Sequence, residues 1–554
     1  MARTARRTAL LFASLLLAVA TLAACESCKT PSSPDGGSSA NAGLPDARLY
    51  LVSDMAGALE PCGCVKDQLG GTDHFGALLT AEKKNAPNYV TLSSGPLFYM
   101  DMELPDDRKS QEVAKAQTIA SAFKTLKLAA FAESRNLFAG GASEIPKLKD
   151  ASGAAMLLAN VSGLPGAAKS QLVTVGSVKL GVIGVGAPDK AEHTTKPLEG
   201  VASSPAAPAV KEAAAALTKE GAQAIVVLAA VGRGEAKRIA DEVPELLAIL
   251  VGSTGARGDE NTKPAPPERV GEVLVVETAN HLQTVGVLDL HLRDAPKTGL
   301  VKFADGTGVA RMQKRDELNS QIDDLRGKIA QWENDKSVPA KDIADRKADV
   351  AKKEAERDAL DKAPPPASGS FFRFTMREIR DQLGADEAVK AQMNVFYKKV
   401  NDENKIAFKD KKPLPAEKGK AKYVGVDMCT NCHEPARKVW DATKHATAYP
   451  TLEKQFKEAN LDCVSCHVTG YDKPGGSTVT HVQDLKNVQC EVCHGPGSLH
   501  AVDPDKVNIP IARPGPEACV ECHHPPHVHV FDAKAKMAEI LGPGHGRPLP
   551  PDKK

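Results

Sequence analysis

Four copies of the pattern Cys-x-x-Cys-His stand near the C-terminal end of this 554-residue chain: Cys429, Cys432 and His433; Cys463, Cys466 and His467; Cys490, Cys493 and His494; Cys519, Cys522 and His523. Two thiols one helical turn apart can form thioethers to the two vinyl groups of one haem, and the adjacent imidazole reaches the iron from the proximal side. Four repeats within about 95 residues therefore predict four covalently attached haem c groups. A zinc site would combine the Cys pairs into four-ligand sets and leave the His after every pair without a role. A disulfide framework suits an exported protein but has the same weakness. Eight of the 12 cysteines and 11 of the 15 histidines lie beyond residue 420, an enrichment that points to cofactor ligation rather than packing.

The sixth ligand of each iron must come from the seven histidines left over: His445, His481, His500, His524, His527, His529 and His545. The expected distal set is His445, His481, His500 and one of His527 or His529, with His524 and His545 equally well read as surface or hydrogen-bonded residues. Two imidazoles saturate an iron, favour electron transfer and lower the potential relative to Met ligation. An iron left with its proximal ligand alone would instead offer a substrate site, the reading of a redox enzyme. The run Tyr423, Cys429, Trp440, His445, Thr451-Leu452, Cys463 to His467 with Val468-Thr469-Gly470, and Gln489-Cys490 to His494 with Gly495-Pro496-Gly497-Ser498 and His500, resembles the tetrahaem cytochrome c-554 family. That resemblance covers about residues 421–525 and implies closely packed, mostly bis-His haems and an electron carrier, with His445 at the family's distal position.

The elements that must hold these residues are few. Residues 421–554, the tetrahaem domain, are poor in aromatics, so the haems themselves must supply much of the core. Short helices such as 436–443, entered after Pro435, are expected between Gly/Pro turns at 474–476, 495–497 and 514–516.

Upstream, residues 47–300 read as an α/β domain with mixed sheets. Strands are expected at 48–52, 224–230, 247–251, 271–277 and 285–292, a two-strand hairpin over 175–185 turning at Lys179, and helices at 72–82, 209–220 and 234–242. The wording of 178–185, 221–228, 239–252 and 286–292 resembles the metallophosphoesterase domain of bacterial 5'-nucleotidases. The family's metal-binding motifs are replaced by Asp54-Met55-Ala56, Gly140-Gly141-Ala142, Ala229-Ala230-Val231 and Gly252-Ser253-Thr254-Gly255-Ala256, so only Asp54 survives as a ligand type. Clamping two ions takes several carboxylates, Asn and His, which predicts a degenerate domain without catalytic residues. Pro61-Cys62-Gly63-Cys64 lies in the loop after the first strand. Cys62 and Cys64 form either a redox or metal pair with His74 nearby, or an oxidised pair of no further role.

Leu318, Ile322, Leu325, Ile329 and Trp332 recur at spacings of four and three, and a charged helix follows Pro339. Residues 312–362 are thus expected as a helical hairpin that spaces the domains or joins two copies of the chain. Residues 369–420 read as a small connecting region, with a short strand over 371–374 and a helix over 375–400.

At the other end, Arg3, Arg6 and Arg7 precede an apolar stretch over 9–20 that is too short to span a membrane convincingly. It ends in Leu22-Ala23-Ala24-Cys25, which resembles the lipobox of bacterial lipoproteins. Residues 1–24 are then a signal peptide, Cys25 the lipidated residue, and 25–46 a flexible tether. The expected location is extracytoplasmic, lipid-anchored on the periplasmic side or the surface of the outer membrane of a Gram-negative bacterium. A formal net charge of +1 implies no nucleic-acid partner. Redox proteins or quinol-linked donors are the expected partners of a membrane-anchored multihaem electron carrier, with a surviving phosphoesterase as the weaker enzyme reading.

Overall fold

A computed structural model describes residues 43–61, 68–194, 196–258, 260–294, 296, 298–333, 338–360, 368–524, 527–528, 531–542 and 544–545. Cys25, Cys62, Cys64 and His529 lie outside the described residues. Three parallel strands, β1 (Ala47–Ser53), β2 (Tyr89–Ser94) and β3 (Leu128–Ala132), form the centre of a seven-stranded mixed sheet. Its spatial order is Ala304–Asp305, Phe371–Glu378, Thr284–His291, β1, β2, β3, Ala155–Met156. A second, six-stranded sheet runs Ala265–Val270, Val273–Glu277, Ala248–Gly252, Ala224–Ala230, Val178–Gly186, Ser170–Val175.

The all-apolar run Ala224–Ala230 explains the layering, because a strand buried on both faces needs cover on each. Its even positions, Val226 and Leu228, pack with Leu49, Leu51 and Leu250 in a core between the two sheets. Its odd positions, Ile225 and Val227, face the helices Ala206–Lys219 and Arg233–Glu242. The outer side of the first sheet is covered by α1 (Thr72–Glu82), α2 (Lys109–Thr125) and the helix Glu387–Ala407. The N-terminal part is thus an α/β domain of four layers, and the region beyond residue 425 is mostly short helices.

Three readings of the sequence are corrected. The hairpin turns at Gly176-Ser177 rather than at Lys179, which pairs with Thr174 inside a nine-residue strand. Gly176, at φ +58, supplies the left-handed turn conformation. The strand beginning at Phe371 continues to Glu378, pairing eight residues of Thr284–His291, and the next helix starts only at Glu387. Helix-forming composition in 375–378 loses here to sheet pairing, in a strand that seats Phe372 and Phe374 between the sheets. The same finding moves 371–407 from a connecting region into the α/β domain. Val389, Met393, Phe396 and Val400 of its helix lie in the core with Phe75 and Phe123.

Helices Val309–Glu333 and Ala340–Leu360 form the hairpin. Ile322, Ile329 and Val350 meet along its seam, flanked by the ion pairs Arg326–Glu354 (2.6 Å) and Lys347–Glu333 (2.7 Å). Residues 45–554 cluster as one unit, so the haem-motif region rests against the α/β domain.

Candidate functional site

Each Cys-x-x-Cys-His lies on or beside a short helical turn. The first spans the kinked helix Val426–Asp441, which leaves helical geometry at His433 (φ −115°, ψ 38°). The second occupies Val464–His467 and the third Cys490–His494, while the fourth begins at the end of the turn Pro516–Cys519. No disulfide joins the eight thiols. The thiol of Cys429 meets that of Cys490 and the thiol of Cys466 meets that of Cys522, while Cys493 feels the charge of Cys519, so the third and fourth motifs are neighbours as well.

Polar side chains hold the first pair together. The buried Glu491 carboxylate accepts from the backbone N–H groups of Val424, Gly425 and Gly497 at 2.7–3.1 Å. Gln489 accepts from Val426 N–H at 2.7 Å, and the Trp440 indole donates to the Val488 carbonyl at 2.7 Å. These bonds satisfy helix-start amides that otherwise lack partners.

Three proximal imidazoles each face another imidazole. His433 and His500 have ring centres 6.3 Å apart with planes 26° apart, His445 and His523 stand at 6.3 Å and 44°, and His494 and His545 at 6.2 Å and 24°. A metal-bound imidazole nitrogen sits about 2.0 Å from its ion, so two rings on opposite sides of one ion have centres roughly 6.3 Å apart. The donor set therefore fits axial ligation of an iron. Several rings are also oriented for it: the Nδ1–H of His467 donates to the Ala448 carbonyl (2.7 Å), that of His494 to Ile511 (2.9 Å) and that of His500 to Val507 (2.6 Å). Such a bond places the proton on Nδ1, which makes Nε2 the acceptor nitrogen, and fixes the ring plane. Burial pushes the pKa values of His445, His467, His523 and His545 down, which keeps these imidazoles neutral and able to ligate.

Of the distal candidates read from sequence, His445 and His500 face proximal rings, but each serves a motif distant in the chain. His481 is not among the facing rings, and its Nδ1 lies 3.1 Å from the Thr480 hydroxyl. His527 packs edge-on against His524 at 5.1 Å. His545 takes the position opposite His494, and no local spacing marks it; only the folded chain brings the two together.

In the α/β domain, Asp54 ends β1 in a left-handed conformation (φ 42°) and accepts from Ser253 N–H at 2.9 Å. Burial pushes its carboxyl up to about 7. Residues missed in the sequence lie beside it. Glu133, directly after β3, is buried, accepts from Leu97 N–H at 3.1 Å and is pushed by burial up to about 8. Asn136 donates to the carbonyls of Tyr99, Met100 and Ala256 at 3.0–3.1 Å. A charged residue closing an apolar strand was the available signal. Gly140-Gly141-Ala142 lies beyond these residues, in the turn preceding the helix Ile145–Ser152. Among the described residues, no group of three or more His, Cys, Asp or Glu is placed to hold a metal ion. The Nδ1–H of His74 donates to the Gly384 carbonyl at 2.5 Å.

The model of the family described as cytochrome c554 and c-prime matches residues 428–495. Cytochrome c-554 of Nitrosomonas europaea is 34% identical over 93 residues, which are 14% of this chain and 40% of that protein. The chain thus spans less than half the length of that curated relative. Among solved structures, the sulfate thiohydrolase SoxB of Thermus thermophilus overlays with a TM-score of 0.44 at 14% identity, over 73% of this chain and 68% of that one. A 5'-nucleotidase precursor from Thermus thermophilus overlays at 0.41 and 16% identity, with the same coverages. The motifs, the facing imidazoles and the matched sequence agree that the chain carries a C-terminal cytochrome c-554-like segment, joined to an N-terminal α/β domain.

Proposed function

We propose that this chain is an extracytoplasmic tetrahaem electron-transfer protein, anchored to a membrane through a lipidated Cys25. The observation that carries the reading is the set of three imidazole pairs at 6.2–6.3 Å, each containing the His of a Cys-x-x-Cys-His motif. In this reading Cys429 and Cys432, Cys463 and Cys466, Cys490 and Cys493, and Cys519 and Cys522 hold four haems. His433 and His500, His494 and His545, and His523 and His445 ligate three of the irons, and His467 is the proximal ligand of the remaining one. The haems would supply one-electron redox chemistry. The protein's residues orient the ligands, and the close approach of the motifs to one another supports transfer from haem to haem.

The α/β domain is, in this reading, a degenerate phosphoesterase-like module that docks the haem segment and performs no hydrolysis. Strand-end positions filled by Ala230, Ser253 and Ala256 support that view, because none can clamp an ion through a carboxylate or imidazole. The leader and the lipobox-like Cys25 support export and anchoring. Among the described residues, no helix is long and apolar enough to cross a membrane.

Intact-mass measurement of the protein matured in a host that attaches haem c tests the proposal. A gain of four haem masses is expected, falling to three when Cys519 and Cys522 are both replaced by Ala. A smaller gain in the unaltered protein would sink the tetrahaem reading.

A further inference from the structure

The loop leading into the second haem motif is gripped by the α/β domain. Leu461 N–H donates to Gln111 Oε1 at 2.9 Å, and Asn404 donates to Gln111 Oε1 and to the Ala459 carbonyl at 3.0 and 2.9 Å. Asn401 accepts from Ala459 N–H at 2.8 Å, and Lys457 pairs with Glu60. At the end of this loop, Asp462 immediately precedes Cys463. Its carboxylate takes Lys115 of α2 at 3.0 Å and forms an ion pair with Arg108. Lys115 also pairs with Glu112 at 2.7 Å, and its side chain is only 7% exposed. Arg108, Lys115, Asp462, Cys463, Ser465 and His527 line one cavity of about 190 Å³. Charges contributed by the α/β domain thus line the same cavity as the first cysteine of the second motif.

Charge in such a place has a defined electrical effect. Away from bulk water, a fixed charge acts on its neighbours with less screening. A cation beside a haem disfavours the more positive ferric state and raises the reduction potential; an anion lowers it. Burial and neighbouring charge are among the levers by which a protein tunes a haem.

We propose that the α/β domain sets the reduction potential of the second haem through the partly buried Lys115–Asp462–Arg108 cluster beside Cys463. The inference rests on the tetrahaem reading above. Lys115, Arg108 and Asp462 are positioning residues, acting on the haem through their field and through the loop they hold. This gives the domain a role that needs no hydrolytic site.

The test is potentiometric titration of the full-length, haem-loaded protein, followed optically and by electron paramagnetic resonance. Lys115→Met is expected to lower one of four midpoint potentials and Asp462→Asn to raise the same one, with the other three unchanged. The double variant should return that potential towards its original value, because the two charges act on one group. Lys115→Arg, which keeps the charge, should leave it in place. Arg108→Gln, altering a side chain 37% exposed, should act in the direction of Lys115→Met and remains usable if loss of Lys115 prevents folding. Shifts of the same sign in Lys115→Met and Asp462→Asn would overturn the proposal, as would a shift of all four potentials or of none. A haem count below four in the unaltered protein would strike the tetrahaem reading instead.

Discussion

Replacing His500 by Ala should convert one of the four irons from low to high spin. His500 lies opposite His433 with ring centres 6.3 Å apart, the span of two imidazoles sharing one ion, and its Nδ1–H is tied to the Val507 carbonyl at 2.6 Å. Removing the ring vacates one axial position, and Ala has no donor to refill it. The lost Nδ1 hydrogen bond costs about 1 kcal/mol, too little to unfold a domain held by thioether links. The expected gain is therefore one added high-spin iron, a quarter of the total implied by four motifs. Low-temperature electron paramagnetic resonance, integrated against total iron, measures it directly. His481→Ala supplies the contrast: its ring faces the hydroxyl of Thr480, and the high-spin count should stay as it was. An unchanged spectrum in His500→Ala, or a new high-spin iron in His481→Ala, would refute the pairing by ring geometry.

His545→Ala should likewise add one high-spin iron, because that ring stands 6.2 Å from His494; integration of the same spectra decides it. Glu133 adds a pH dependence with a defined sign. Its folded value of about 8 lies above the ordinary 4.5, so the folded state keeps a proton that the unfolded chain releases. Stability from this group is fully present below pH 4.5 and falls as pH rises towards 8, with a slope of at most about 1.4 kcal/mol per pH unit. Urea denaturation at pH 5 and 7.5 should show Glu133→Gln losing part of that dependence. Asn136→Ala removes two N–H donors shared among three backbone carbonyls and the Oδ1 that accepts from Ala256 N–H at 2.9 Å, and should cost about 3 kcal/mol, read as a lower urea midpoint. Asp386 caps the helix Glu387–Ala407 by accepting from Ala388 and Val389 N–H at 3.1 and 3.0 Å, and Asp386→Ala should cost about 1 kcal/mol in the same assay.

The four Cys-x-x-Cys-His motifs were legible from sequence because they are local: two thiols and an imidazole within five residues need no tertiary partner to be recognised. The buried strand Ala224–Ala230 was legible for a similar reason, since an all-apolar run of seven admits few placements. The facing imidazoles were not. His445 faces His523 and His545 faces His494 across long stretches of chain, and an imidazole opposite an iron carries no spacing rule. The segment 375–378 misled for the opposite reason, its local preference giving way to a strand, Phe371–Glu378, that pairs along its whole length with Thr284–His291. Sequence by itself determined where the four Cys-x-x-Cys-His motifs stand, because that pattern depends only on neighbours along the chain. Tertiary structure alone decided which rings face each other, which charges share the cavity beside Cys463 and which strand completes the sheet, because those depend on distances that only packing creates.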